Sequence, residues 1–353
     1  MARQPIVGGA PQEDDSRRDA ALRPSRFSDI VGQKSVINRL MIAVNACKKL
    51  AEPMPHILFD GPPGLGKTTF ANVLPNEMGT SLQITSGPAL TRPADLLPFL
   101  TNVEEGGFLF IDEIHRMPRA VEEFIYPAME DFRVDIVLGE GLGARTVSMR
   151  LKRFTLIGAT TRSGMLSGPM RDRFKMHEHL DYYNESDLSQ ILKTNAQKLK
   201  TFLSEEAAIE IAKRSRGTPR IANSRLFWAR QFSASERDGK INHDVAKEAL
   251  AMAEVDFAGL DKQDRRYLDV LTGVFQGGPA GVEAIAATMN LPPDTLSDEI
   301  EPYLLREQFI LRTARGRVAT NRGWSHMDKT PAPGANRFGE KDLFDQVGDL
   351  TSN

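Results

Sequence analysis

The run Gly61-Pro62-Pro63-Gly64-Leu65-Gly66-Lys67-Thr68 follows the apolar segment 56–59 after one residue, Asp60. A strand that opens into a glycine-rich loop ending in Gly-Lys-Thr commits a chain to a parallel sheet whose first loop wraps phosphate groups. The glycines let backbone N–H groups turn inward around phosphate oxygens. Lys67 is placed to reach the β- and γ-phosphates, and the Thr68 hydroxyl to ligate magnesium at the start of the next helix. The competing reading, a chance glycine-rich turn, requires neither the preceding strand nor the acidic motif described below.

At 353 residues, 41% hydrophobic and 26% charged, the chain is long for one core and ordinary for a soluble protein of two or three domains. Its single cysteine, Cys47, excludes an intrachain disulfide and argues against a cysteine-based metal cluster. No signal peptide and no membrane-spanning apolar run is visible, so a cytoplasmic location without membrane contact is expected. A net charge of −2 means that any contact with DNA must be local.

Residues 1–20 are charge-rich, lack an apolar period and read as a disordered arm. Over 21–183, strand candidates at 57–59, 82–84, 108–111 and 154–157 alternate with amphipathic helices, the rhythm of an α/β domain with helices on both faces of its sheet. Over 184–255 the strands stop, and helices at 205–214, 220–233 and 243–253 suggest a small helical lid. Over 256–324, helices at 262–274, 282–289 and 295–306, the last kinked by Pro302, precede a hairpin of 309–313 and 317–320. That order is a winged helix. The remainder, 325–353, reads as a mobile tail with a short amphipathic stretch at 343–350.

The run 108–113, Phe-Leu-Phe-Ile-Asp-Glu, is an apolar strand ending in two carboxylates. Asp112 suits a magnesium ion held through its water shell, and Glu113 suits a general base on the attacking water; capping of the helix that follows is the alternative. The strand 154–157 leads into Gly158-Ala159-Thr160-Thr161, where Thr161 can sense a γ-phosphate. Farther on, Arg171 and Arg173 either form a surface ion pair with Asp172 or reach the nucleotide of a neighbouring subunit. Arg220 begins a helix and can bend back over the nucleotide.

These motifs, with Arg23-Pro24, Ile30-Val31-Gly32-Gln33, Ser86-Gly87-Pro88, Ile111-Asp112-Glu113-Ile114-His115-Arg116, Tyr126-Pro127-Ala128-Met129-Glu130-Asp131-Phe132, Arg214-Ser215-Arg216-Gly217-Thr218-Pro219-Arg220 and Arg315-Gly316-Arg317, run in unbroken order from 22 to 320. Together they resemble the RuvB family of AAA+ ATPases. The resemblance implies an ATP- and Mg2+-dependent homohexameric motor of Holliday junction branch migration. It would work in recombination and repair on double-stranded DNA arms, with RuvA docked on a projecting hairpin at 135–153 and RuvC in the junction complex. It places Leu22, Arg23, Ile30 and Val31 around the adenine, Gly64, Leu65, Gly66, Lys67, Thr68 and Thr69 on the phosphates, and Glu130, Asp131, Phe132 and Tyr183 near this or an adjoining nucleotide. Thr161 and Arg220 would be the sensors, Arg173 the finger acting in trans, and Arg312, Arg315 and Arg317 the DNA contacts. Against this family, Pro75 is unexpected and should remove a helix hydrogen bond. A clamp loader would instead carry a helical collar after the lid, and a nucleotide-gated regulator would need neither Glu113 nor Arg173.

Overall fold

The computed structural model describes residues 22–138 and 145–331, and of Val137 and Leu138 only the backbone. The expected arm 1–20, the hairpin tip 139–144 and the amphipathic stretch 343–350 lie outside the described residues. The described residues form two compact units: one holds those up to 212 together with 217–227, the other 213–216 and those from 228 onward.

The first unit is built on a five-stranded sheet in the order β2-β3-β6-β1-β7. Its strands are β1 (Ile57–Asp60), β2 (Leu82–Ser86), β3 (Gly107–Asp112), β6 (Phe154–Thr160) and β7 (Met176–His179), and every pairing is parallel. The side-chain period of two sorts the apolar residues into two cores. Leu58, Leu109, Ile111 and Leu156 join one cluster; Ile57, Phe59, Phe108, Phe110 and Ile157 join the other. Both faces are therefore covered, which is why β3 and β6 read as unbroken apolar runs rather than as alternation.

Helices α1 (Lys34–Leu50), α2 (Lys67–Met78), α3 (Pro93–Asn102), α4 (Arg119–Glu130) and α5 (Gly168–Arg173) accompany the sheet, and α6 (Glu185–Lys198) and α7 (Glu205–Lys213) follow it. Helix α2 continues through Pro75, which is buried in its final turn. The cost of that proline is confined to one missing donor, because the helix ends a turn later on Gly79, whose N–H bonds the Pro75 carbonyl at 2.8 Å. Strand β7 was not legible: Met-His-Glu-His has no apolar period, and its buried Glu178 is neutralised by Arg39 from α1 at 2.5 Å. Between α4 and β6, β4 (Arg133–Leu138) and β5 (Arg145–Arg150) form a separate antiparallel ribbon that begins two residues before the hairpin expected at 135–153. Arg145, Thr146, Val147 and Ser148 on it are exposed.

In the second unit α9 (His243–Met252), α10 (Lys262–Asp269), α11 (Val282–Met289) and α12 (Glu301–Arg306) precede a hairpin of β8 (Ile310–Thr313) and β9 (Gly316–Ala319) and a short α13 (Asn321–His326); α8 (Pro219–Glu236) contributes its C-terminal half. Tyr267, Phe309 and Trp324 lie in its core. The chain departs from α geometry in a π turn, Leu296–Ile300, just before Pro302. A proline ring collides with the carbonyl four residues back, here Asp298, and a widened turn relieves that collision. The ordered head also passes the expected boundary at 324: His326 bonds Asp256 at 2.8 Å and lies between the Phe257 and Phe309 rings. The start of the expected mobile tail is thus helical and anchored. Among the described residues no helix is long and apolar enough to cross a membrane.

The wing is fastened by one buried carboxylate. Glu301 is fully buried and takes Arg317 on both oxygens, at 2.8 and 3.0 Å, with Arg312 at 2.6 Å and the Tyr267 hydroxyl at 3.0 Å. Burial would raise the Glu301 pKa, but the bonds from Arg317 and Arg312 outweigh it and hold the group below the ordinary carboxylate range. Arg317 is therefore a structural partner, and an effect of its loss could not be assigned to the expected phosphate contact alone. We expect Arg317→Ala to strip the buried Glu301 of its two-bond partner, leaving Arg312 and the Tyr267 hydroxyl to hold the charge, and to cost up to roughly 3–5 kcal/mol of stability. The cost should be full at neutral pH, where the carboxylate is ionised, and should shrink as pH falls through its depressed pKa. Thermal denaturation across pH checks this; an unchanged melting temperature at neutral pH refutes it.

Candidate nucleotide-binding site

The carboxyl ends of β1, β3 and β6 and the first turn of α2 enclose a cavity of about 360 Å³. It occupies the place where open α/β sheets bind ligands. Gly61, Gly64 and Gly66 all have positive φ, at 128°, 77° and 107°. Two of them also need their missing side chain: a Cβ on Gly61 would meet the Leu180 carbonyl at 2.5 Å, and one on Gly64 would meet Thr218 at 2.7 Å. The loop is thus close-packed on its outer side, with its inner face turned to the cavity.

Lys67 is 8% exposed, and its amine donates to the Gly61 and Pro62 carbonyls at 2.7 and 2.8 Å. Burial pulls its pKa down to about 8, a shift that Asp112 opposes and Arg220 deepens. An anion placed beside that amine would favour its charged form. Thr68 and Asp112 line the same cavity, and Asp112 is fixed by the Glu113 N–H at 2.9 Å. This donor set fits a triphosphate with a magnesium ion, which keeps most of its own waters and needs only one or two protein ligands.

Glu113 has a left-handed backbone, φ 47°. The turn is supported by the residue just after β2: a Cβ on Gly87 would meet the Glu113 carbonyl at 2.4 Å, so only glycine fits there. Its carboxylate is half-exposed and pairs with Arg116 at 2.9 Å. Such a pair is worth roughly 0–1 kcal/mol, so the carboxylate is easily released. At the end of β6, Thr160 bonds the His115 ring at 2.9 Å and accepts from the Arg162 N–H at 3.0 Å, which aims the next residue, Thr161, at the cavity.

Leu22, Arg23, Ile30, Val31, Leu65, Thr69, Tyr183 and Arg220 also line the cavity. The Arg220 N–H meets the Gly64 carbonyl at 3.4 Å, and burial raises the Tyr183 phenol to about 12. The sequence reading missed Thr194, Asn195 and Lys198, which share one face of α6 and line the cavity with it. Lys198 bonds the Leu22 carbonyl at 2.9 Å and Asn195 bonds Asn223 at 2.8 Å. A polar stripe at helical spacing beside the apolar one was the available signal.

Glu130, Asp131, Phe132 and Arg173 do not line this cavity. They gather at the end of α4, where Arg173 pairs with Glu130 at 3.1 Å, donates to the Pro169 carbonyl at 2.7 Å and stacks 3.9 Å over Tyr126. Its partner is thus Glu130 rather than Asp172. Arg312 and Arg315 are exposed on the wing, Arg315 at its turn, whereas Arg317 is 14% exposed.

Comparison with known proteins matches three successive segments of the chain. Residues 22–180 match the family model of the Holliday junction DNA helicase RuvB P-loop domain, 183–256 the RuvB AAA lid domain, and 258–328 the RuvB C-terminal winged helix domain. A Rhodopirellula baltica protein named Holliday junction branch migration complex subunit RuvB is 56% identical over 311 residues, 88% of this chain and 85% of that protein. The structure of the Thermotoga maritima RuvB Holliday junction branch migration motor has a TM-score of 0.80 at 40% identity, covering 89% of this chain and 100% of that one. A mutant of the same Thermotoga maritima protein gives 0.82 at 41% identity, over 88% and 99%. With three successive models matched and this identity over most of its length, the chain belongs to the RuvB family of AAA+ P-loop ATPases.

Proposed function

We propose that the chain is the subunit of a cytoplasmic homohexamer that turns ATP hydrolysis into translocation of double-stranded DNA, driving branch migration of Holliday junctions in recombination and repair. The ribbon of β4 and β5 would dock RuvA, with RuvC joining at the junction. The sheet domain 21–183, lid 184–255 and head 256–324 would divide the work, the head continuing to His326. The relatives' names support the reaction. The observation that carries the ring is the separation of Arg173 from the cavity that holds Glu113: a γ-phosphate arginine placed there serves a neighbour's site.

In this reading Lys67 and the loop N–H groups hold the phosphates, and Thr68 and Asp112 hold magnesium. Bound magnesium would offset phosphate charge. Glu113, released from Arg116, polarises the attacking water, Thr161 orients it, and Arg220 closes over the nucleotide. A neighbour's Arg173 meets charge as it develops. That contact is absent from an isolated subunit, so hydrolysis depends on assembly. Arg312 and Arg315 grip phosphates without reading bases, as translocation along any sequence requires.

Three outcomes are expected. Isothermal titration should find ATP binding lost in Lys67→Ala and retained in Glu113→Gln, with hydrolysis blocked in both; normal affinity in Lys67→Ala would remove the role given to it. Arg315→Ala should weaken every DNA sequence alike and flatten the salt dependence by about one phosphate contact; sequence-selective loss would mean base reading. Arg173→Ala should cost about 10³–10⁵ in turnover with ATP binding kept. Mixed rings of Arg173→Ala and Glu113→Gln subunits should then recover activity that both parents lack, whereas a flat floor at every ratio would exclude action in trans.

A further inference from the structure

The clamp around Arg173 has two jaws. One is the C-terminal end of α4, which supplies Tyr126 and Glu130; the other is the segment around α5, which supplies the Pro169 carbonyl and leads through Phe174 into β7. A single residue at the start of β1 is bonded to both. The half-buried His56 ring meets the Met129 carbonyl through Nε2 at 2.9 Å, one residue before Glu130. The main-chain carbonyl of the same residue accepts from the N–H groups of Lys175 and Met176 at 3.1 and 3.2 Å, directly after Arg173-Phe174.

The opposite edge of the ring fixes its chemical state. The Leu156 N–H donates to Nδ1 at 2.8 Å, so Nδ1 must present a lone pair and Nε2 must carry the proton that goes to Met129. Only the neutral Nε2–H tautomer satisfies both bonds. Phe154 and Phe132 lie beside the ring, centroids 5.8 and 6.5 Å away, and burial, partly opposed by the Met129 bond, holds it below the ordinary imidazole range. The bond to Met129 also closes one of the carbonyls that the end of α4 leaves without a helical partner.

We propose that His56 is a positioning residue for Arg173: its ring and its carbonyl together set the spacing of the two segments that present the arginine to the neighbouring subunit. This rests on the reading of Arg173 as acting in trans. His56 is not among the residues lining the nucleotide cavity, so it touches no reacting group of its own site. Its influence falls on the face that serves the next one.

The test is which defect His56 sorts with in mixed rings. His56→Phe keeps a flat ring of similar size and removes both side-chain bonds. ATP affinity should stay close to that of the unaltered protein while turnover falls about 10²-fold, the scale of an ångström-sized misplacement. Mixed with Glu113→Gln, it should recover activity, because its intact Glu113 meets an intact neighbouring Arg173. Mixed with Arg173→Ala, it should stay at the floor, because both partners fail on the arginine side. The opposite sorting, recovery with Arg173→Ala and none with Glu113→Gln, would show that His56 supports its own nucleotide site and would overturn the proposal.

The mixture of Arg173→Ala with Glu113→Gln, run alongside, separates the two failures. No recovery there removes the trans reading and this proposal with it; recovery there, with the wrong sorting for His56→Phe, removes the role of His56 alone. If His56→Phe does not assemble, two further measurements decide. Nitrogen NMR of the imidazole in the unaltered protein at neutral pH should show the neutral Nε2–H tautomer, and an imidazolium or Nδ1–H form overturns the proposal. His56→Gln, whose amide can still reach Met129, should keep more turnover than His56→Asn, whose shorter amide cannot; equal loss in both counts against it.

Discussion

The site depends on one close backbone approach, that of the phosphate loop to the end of β7. Gly61 lies so near the Leu180 carbonyl that a Cβ would stand 2.5 Å from it, and the Leu180 N–H in turn bonds the Asp60 carbonyl at 2.9 Å. With β1 flanked by β6 on one side and the edge strand β7 on the other, the loop is held beside the ends of the strands that lead into Asp112, Glu113 and Thr161. Register does the rest. Asp60 pairs with Thr160 and Ser86 with Asp112, so the polar ends of the strands arrive at one level.

The buried charges divide into two kinds, and their partners tell them apart. Glu301, Glu178 and Asp264 are each met by a guanidinium, Asp264 by Arg216. Such pairs are costly to break and serve mainly to fix geometry. Lys67 differs: two loop carbonyls are its hydrogen-bond partners, and its ammonium is depressed by burial. That imbalance marks a group shaped for an anion, and it separates the nucleotide site from the structural ion pairs on physical grounds.

Strain and fit follow the same logic at Glu113. Its left-handed backbone is stabilised by the Arg116 N–H on its carbonyl at 2.8 Å and by the space that Gly87 leaves beside it. The carboxylate is consequently presented half-exposed on a rigid turn, with only an exposed arginine to restrain it.

Much of this was legible in the sequence, because the phosphate loop, the acidic strand end and the winged order are local patterns whose chemistry demands fixed residue types at fixed spacing. The burial of β3 and β6 on both faces was likewise written in their apolar runs. Strand β7 was not, since Met-His-Glu-His becomes a strand through pairing with β1 and the neutralising reach of Arg39 across 139 positions. The polar face of α6 joined the cavity only once the helix was placed against it. Arg317 looked like a free phosphate ligand because nothing local announces that Glu301, sixteen positions earlier, is fully buried beneath it. The sequence by itself determined which chemical groups exist and which strand ends carry them; tertiary structure decided which charges were already spent on one another, because burial and long-range pairing are properties of the folded chain and not of any window along it.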